Sequence, residues 1–176
     1  MVRSRRASIA IMLIGAAIAA LFASGRLTLN ITQSAPIGLW VLFNSDANPV
    51  TIGDYVLIEM DEFAAYDQYR SYPTARSAWG SRPAPFLKRV AAAGGDNLTR
   101  DSAGSILVNG KPLASSDIIS RDRAGNQMTA YPLPLTLDDG QLWLSSESAR
   151  GFDSRYLGPV RTERCRRAFP LIVFNM

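Results

Sequence analysis

Lys88 and Ser34 are the residues whose settings ask for chemistry. In Phe86-Leu87-Lys88-Arg89-Val90 a strand's period of two puts Phe86, Lys88 and Val90 on one face, with Leu87 and Arg89 on the other. An amine sharing a face with two apolar neighbours is desolvated, which disfavours its charged form, while Arg89 takes the solvent side. Bringing a lysine from its ordinary pKa of about 10.4 to near 7 costs on the order of 4 to 5 kcal/mol, which the fold must supply. The plainer reading lays the lysine stem along the core and lets its head reach water. Ser34 lies in Thr32-Gln33-Ser34-Ala35-Pro36-Ile37-Gly38-Leu39-Trp40, where Pro36 and Gly38 bracket a turn able to hold a hydroxyl in a fixed pose. If that stretch is extended, Thr32 points to the same side, and its hydroxyl could join the Ser34 N–H as donors to a developing oxyanion. Taken alone, Ser-x-Pro-x-Gly is an ordinary turn.

Composition narrows what these residues could do. The chain has no histidine, which removes serine-histidine and cysteine-histidine hydrolases and histidine-ligated metals. A single cysteine, Cys165, allows neither an internal disulfide nor a thiolate zinc site, and no cofactor or metal is called for. Lys88 and Lys111 stand against seventeen arginines, and arginine does not give up its proton, so a neutral amine base can come only from those two lysines. What remains is a Ser or Thr activated by lysine, or a pair of carboxylates. The carboxylate pairs Asp61-Glu62 and Asp138-Asp139 lie beside turn signals and read as solvated loops. In a third stretch, Phe152-Asp153-Ser154-Arg155-Tyr156-Leu157-Gly158-Pro159-Val160, Asp153 and Arg155 share a face if it is a strand, and would pair to brace their neighbours.

These residues need elements to hold them. At 176 residues, the chain suits one domain and a short appendage. Residues 1–6 carry Arg3, Arg5 and Arg6; residues 7–25 carry no charge and approach the roughly 20 residues of a membrane-crossing helix; residues 26–176 form the bulk domain. The flanking arginines place the N-terminus in the cytoplasm and the domain beyond the membrane. A cleaved signal peptide competes with a retained anchor, since Ala23 and Gly25 fit the small-residue rule, and the length of the apolar run favours the anchor. The basic pI near 9.6 follows from those first arginines, because the bulk domain has 16 basic against 15 acidic residues. A nucleic-acid partner is therefore not expected, and Arg161, Arg164, Arg166 and Arg167 read as a solvated or lipid-facing edge. Strands are expected at 39–43, 55–60, 86–91, 106–108, 141–144 and 171–174, with a type I′ hairpin at Asn109-Gly110 and Lys111 exposed beside it. Strands and turns without intervening helices imply a mostly β, antiparallel sheet or barrel, interrupted by an insertion at about 62–85. Trp40, Trp79 and Trp143 suit the core or the lipid headgroup region equally, Cys165 reads as a small core or edge residue, and Asn30-Ile-Thr32 and Asn97-Leu-Thr99 fit a glycosylation pattern of chance frequency.

In this order, the three stretches resemble the boxes of the serine-lysine signal peptidase superfamily, and within it the TraF-type conjugative transfer peptidases. TQSAPIGLW matches the serine box, FLKRVAAAGGD the lysine box and FDSRYLGPV the third box, over almost all of the chain after the anchor. The resemblance implies Ser34 as nucleophile, Lys88 as general base, and Thr32 with the Ser34 N–H as oxyanion hole. Asp153 and Arg155 would match the structural ion pair, and Asp153 and Ser154 would help order the site. It further implies a coiled antiparallel β-sheet of signal-peptidase type docked on the membrane. The implied substrate is a secreted precursor, in the conjugative branch a pilin subunit, with other transfer components as further partners. The implied location is the bacterial inner membrane with the catalytic domain in the periplasm. A general signal peptidase and a non-catalytic anchored assembly module are the alternatives.

The chain departs from the family pattern at three places. Ala92 and Gly94 replace a glycine and a proline of the lysine box, which leaves the turn into Asp96 open. Ser145-Ser146-Glu147 stands where Gly-Asp-Asn is usual, which favours the specialised reading over the housekeeping one. The serine that bonds the catalytic amine aligns with Gly151, so Ser154, another hydroxyl or packing alone must hold Lys88.

Overall fold

A computed structural model describes residues 2–44, 49–59, 85–122 and 125–174. Helix α1 (Val2–Ala23) is apolar along Arg6–Ala23, exposed, and long enough to cross a membrane. The expected insertion lies outside the described residues except for Pro85, as do Trp79 and Asp61-Glu62.

The strands are β1 (Leu27–Asn30), β2 (Gly38–Asn44), β3 (Tyr55–Ile58), β4 (Phe86–Ala93), β5 (Asn97–Arg100), β6 (Ile106–Val108), β7 (Lys111–Pro112), β8 (Leu135–Thr136), β9 (Gln141–Ser145), β10 (Val160–Arg161) and β11 (Cys165–Val173). They form a curled antiparallel sheet in the order β1-β2-β11-β3-β4-β9-β10 and a smaller one in the order β7-β6-β5-β8. The mostly β, antiparallel expectation holds.

The six expected strands are present with shifted ends, and β1, β5, β7, β8 and β10 join them as pieces of two to four residues. The largest correction is β11, which starts at Cys165 rather than near Leu171. Its arginines and Pro170 break the apolar pattern that marks a strand, yet Arg167 and Pro170 are accommodated. Arg167 bonds Asp54 at 2.7 Å. Pro170 falls where β3 no longer pairs, since the β3 register stops at Ala168, and the ladder to β2 shifts between Pro170 and Ile172. Gly38 is required there, because a β-carbon on it would meet the Ile172 carbonyl oxygen at 2.0 Å.

The hairpin at Asn109-Gly110 forms as expected, with φ of 50° and 77° at its two central residues and Lys111 exposed. The turn into Asp96 closes without the family's proline: Asp96 N–H donates to the Ala93 carbonyl at 3.0 Å, and the Asp96 carboxylate accepts from Ala93 N–H at 2.9 Å. Trp40 and Trp143 are fully buried, and Cys165 is a core residue whose thiol burial pushes up to about 12.

Curling of the sheet covers both faces of β4. Phe86 and Val90 pack with Val56, Ile58, Leu144 and Phe152, while Leu87 packs with Trp40, Leu42 and Leu57 on the other side. Only Arg89, of the five residues 86–90, is exposed. Each large side chain buried this way contributes about 1.5–3 kcal/mol, which holds Lys88 inside the domain against its preference for water.

Candidate active site

Lys88 is 3% exposed, and burial lowers its amine from the ordinary lysine range to about 8; the Asp153 charge opposes that shift and Arg155 adds to it. The lysine head is thus enclosed, against the plainer sequence reading in which it reaches water. Its Nζ sits 4.8 Å from the centroid of the Phe86 ring and donates to Ser146 Oγ at 2.8 Å. The nearby ion pair is already balanced: Asp153 and Arg155 are 1% and 2% exposed and bonded to each other at 2.8 Å. A protonated Lys88 adds a buried positive charge to this neutral pair, and a neutral Lys88 adds none.

Ser34 reaches the same strand from the loop between β1 and β2. Its Oγ donates to the carbonyl of Leu87, one residue before Lys88, at 3.2 Å, and shares a 2.7 Å hydrogen bond with Thr32 Oγ1. The loop is bent rather than extended, so the two hydroxyls meet through the turn and not through a strand's alternation. Asn30 makes that bend. Its buried side chain accepts from Thr32 N–H at 3.1 Å and Thr32 Oγ1 at 2.9 Å, and its amide lies within 2.9–3.1 Å of the carbonyls of Thr32, Ala35 and Pro36. The Asn30-Ile-Thr32 match is therefore an internal brace and not a modification site. Trp40 Nε1 ties the other end of the loop to the Pro36 carbonyl at 3.2 Å.

Asp153 and Arg155 pair as expected, but not on a strand. Asp153 caps the short helix α2 (Ser154–Leu157), accepting from Arg155 N–H, and Gly158, with φ of 80°, ends it. Arg155 then spreads over the carbonyls of Asp117, Ala149 and Gly151 at 2.6–2.9 Å and both Asp153 oxygens. One guanidinium so gathers the segments around the site. Ser154 is buried and accepts from Leu144 N–H at 2.9 Å. It braces β9, and of the options left open by Gly151 it is another hydroxyl, Ser146, that meets the amine.

The loop after β9 connects the three parts. Ser146 N–H donates to Asp153 Oδ2 at 2.9 Å, and Glu147 N–H donates to the Ser34 carbonyl at 3.1 Å. The Glu147 carboxylate accepts from Tyr55 Oη, whose phenol burial and this bond push up to about 12. Ser146, Glu147 and Tyr55 had no motif to mark them beyond the unusual Ser145-Ser146-Glu147, because their bonds to Lys88, Ser34 and one another span long sequence separations; Asn30 acts locally, but its Asn-Ile-Thr pattern signals a different role.

An alcohol beside the strand that carries a buried lysine of lowered pKa, with a second hydroxyl next to that alcohol, suits nucleophilic attack assisted by an amine base. Comparison with known proteins identifies the family. The family model for signal peptidase, peptidase S26, matches residues 3–169. A plasmid transfer protein TraF from Escherichia coli is 34% identical over 141 residues, covering 78% of this chain and 76% of that one. A conjugal transfer protein TraF from Agrobacterium fabrum is 30% identical over 139 residues, covering 77% and 76%. Another, from Agrobacterium tumefaciens (strain 15955), is 33% identical over 145 residues, covering 78% and 76%. With its curled antiparallel sheet, its apolar N-terminal helix and these matches, the chain belongs to the signal peptidase family, peptidase S26.

Proposed function

We propose that the protein is a membrane-anchored serine endopeptidase of conjugative transfer that uses Ser34 and Lys88 to process a secreted pilin precursor. The carrying observation is the setting of Lys88, an enclosed amine lowered to about 8 on the strand whose preceding carbonyl accepts from Ser34 Oγ. Neutral Lys88 takes the Ser34 proton as Oγ bonds to the scissile carbonyl carbon. Thr32 Oγ1 and the Ser34 N–H donate to the oxyanion. The carbon–nitrogen bond then breaks, the leaving amine takes the proton from Lys88, and an acyl-enzyme remains. Water resolves it to a linear product; the precursor's own N-terminal amine resolves it to a circular one. The transfer names of the relatives favour a pilin client and other transfer components as partners.

Helix α1 is the anchor, with Arg3, Arg5 and Arg6 holding the N-terminus in the cytoplasm and the domain on the periplasmic side of the inner membrane. Leu29, Ile31, Phe43, Phe169, Leu171 and Ile172 are exposed on β1, β2, β11 and the loop beside them, where the chain leaves α1, and suit contact with lipid.

Co-expression with the pilin precursor of the same transfer system, followed by intact-mass measurement, tests the reading. Processed pilin is expected, and a product one water lighter than the linear form identifies cyclisation. Unprocessed pilin in the presence of folded protein contradicts the reading. Cleavage of many exported precursors with the pilin left intact points instead to a general signal peptidase.

A further inference from the structure

We infer that Ser146 is the positioning residue for the Lys88 amine, and that Gly151 is glycine because the Ser146 hydroxyl occupies the volume that a side chain at 151 would fill. This deepens the proposed role of Lys88 as base and rests on it. Three observations carry it. Ser146 Oγ is 2.8 Å from Lys88 Nζ, and both residues are 3% exposed, so no bulk water substitutes for that contact. A β-carbon on Gly151 would lie 2.0 Å from Ser146 Oγ and 2.2 Å from Ser146 Cβ, closer than real β-carbons approach any atom. The Gly151 backbone is not in the left-handed region, so conformation does not demand glycine there, whereas space does.

Ser146 is also held where it must be. Its own N–H is fixed to Asp153 Oδ2, and the next N–H, of Glu147, to the Ser34 carbonyl. One two-residue step thus ties the nucleophile's backbone, the lysine's hydrogen-bond acceptor and the buried ion pair. A neutral amine has two N–H donors and one lone pair. By taking one N–H, Ser146 fixes the rotation of the amine about its terminal bond and so the direction of the lone pair that must face Ser34.

The position-146 hydroxyl and a position-151 hydroxyl are therefore interchangeable ways of filling one volume, and not additive ones. In the full-length chain in detergent, with the pilin precursor as substrate, Ser146→Ala is expected to lower kcat about 10- to 100-fold with KM changed less than about twofold. Loss of an acceptor for the ammonium also moves the acid limb of the pH profile to lower pH. Gly151→Ser in the otherwise unchanged chain is expected to lose activity by collision. The pair Ser146→Gly with Gly151→Ser is expected to recover at least about tenfold over Ser146→Ala, a rescue that lost packing alone would not give. Thermal midpoints confirm that each variant is folded, and Ser146→Thr, which keeps the hydroxyl, stands in if Ser146→Ala is not: it is expected to keep the wild-type acid limb. Wild-type kcat and an unshifted acid limb in folded Ser146→Ala would overturn the inference, as would a folded pair no better than Ser146→Ala. Lys88→Ala and Ser34→Ala are run beside them. If those two stay active, the dyad itself has failed; if they are inactive while Ser146→Ala is unaffected, only the role of Ser146 has.

Discussion

Ser34→Ala and Lys88→Ala are each expected to reduce precursor cleavage by at least about 10³-fold, with the protein still folded. Ser34 is half-buried on a loop braced by Asn30 and Trp40, so removing its hydroxyl costs the fold the bonds to Thr32 and Leu87 and little else. For Lys88 the fold is relieved of a buried amine, and stability is not expected to fall in step with activity. Lys88→Arg is the sharper variant, because guanidinium keeps a positive charge and cannot act as base, and it is expected to be as inactive as Lys88→Ala. Cleavage assays on the purified full chain check all three. Undiminished cleavage by both alanine variants would remove Ser34 and Lys88 as the catalytic pair.

Asp153→Ala carries the second large effect, and it falls on stability. The carboxylate accepts from Ser146 N–H, Arg155 N–H and two guanidinium nitrogens, and caps α2 while doing so. Removing it leaves the Arg155 charge buried at 2% exposure with neutral carbonyls as its acceptors and the Asp117 carboxylate as the remaining negative charge acting on it. Breaking one side of such a pair costs about 3–5 kcal/mol, a large share of the 5–15 kcal/mol that typically holds a domain together. The drop is expected in denaturant midpoint at constant m-value. A loss below about 1 kcal/mol would mean that solvent reaches Arg155.

How far the sequence discloses this site depends on how local each signal is. The face shared by Phe86, Lys88 and Val90 follows from alternation alone, and the lysine is indeed enclosed there. Burial of Leu87 on the opposite face was not legible, because it needs Trp40, Leu42 and Leu57 brought over by the curl of the sheet. Asp153 and Arg155 are spaced for a strand as well as for an N-cap and first turn, and Gly158 was the local sign for the turn. The start of β11 was hidden because Arg166 and Arg167 interrupt the apolar pattern, and the partners of Arg167, Asp54 and the Pro49 carbonyl, lie far away in sequence. Ser146 is the extreme case: its identity as the lysine's partner depends on two loops meeting and on an absent side chain at Gly151.

The protonation of Lys88 is the claim on which the chemistry depends, and the chain is suited to measuring it. With only Lys88 and Lys111 present, protein labelled at lysine side chains gives two amine signals by NMR, and Lys111→Arg leaves one. A lysine lowered by burial is cationic below its pKa and neutral above it, so the competent fraction grows with pH. With the amine at about 8, roughly a tenth is neutral at pH 7. The Lys88 signal is expected to titrate at about 8, and kcat/KM to follow the same curve, rising close to tenfold per pH unit below it and levelling above. A Lys88 signal that stays cationic beyond about pH 10 while cleavage continues at full rate would contradict it.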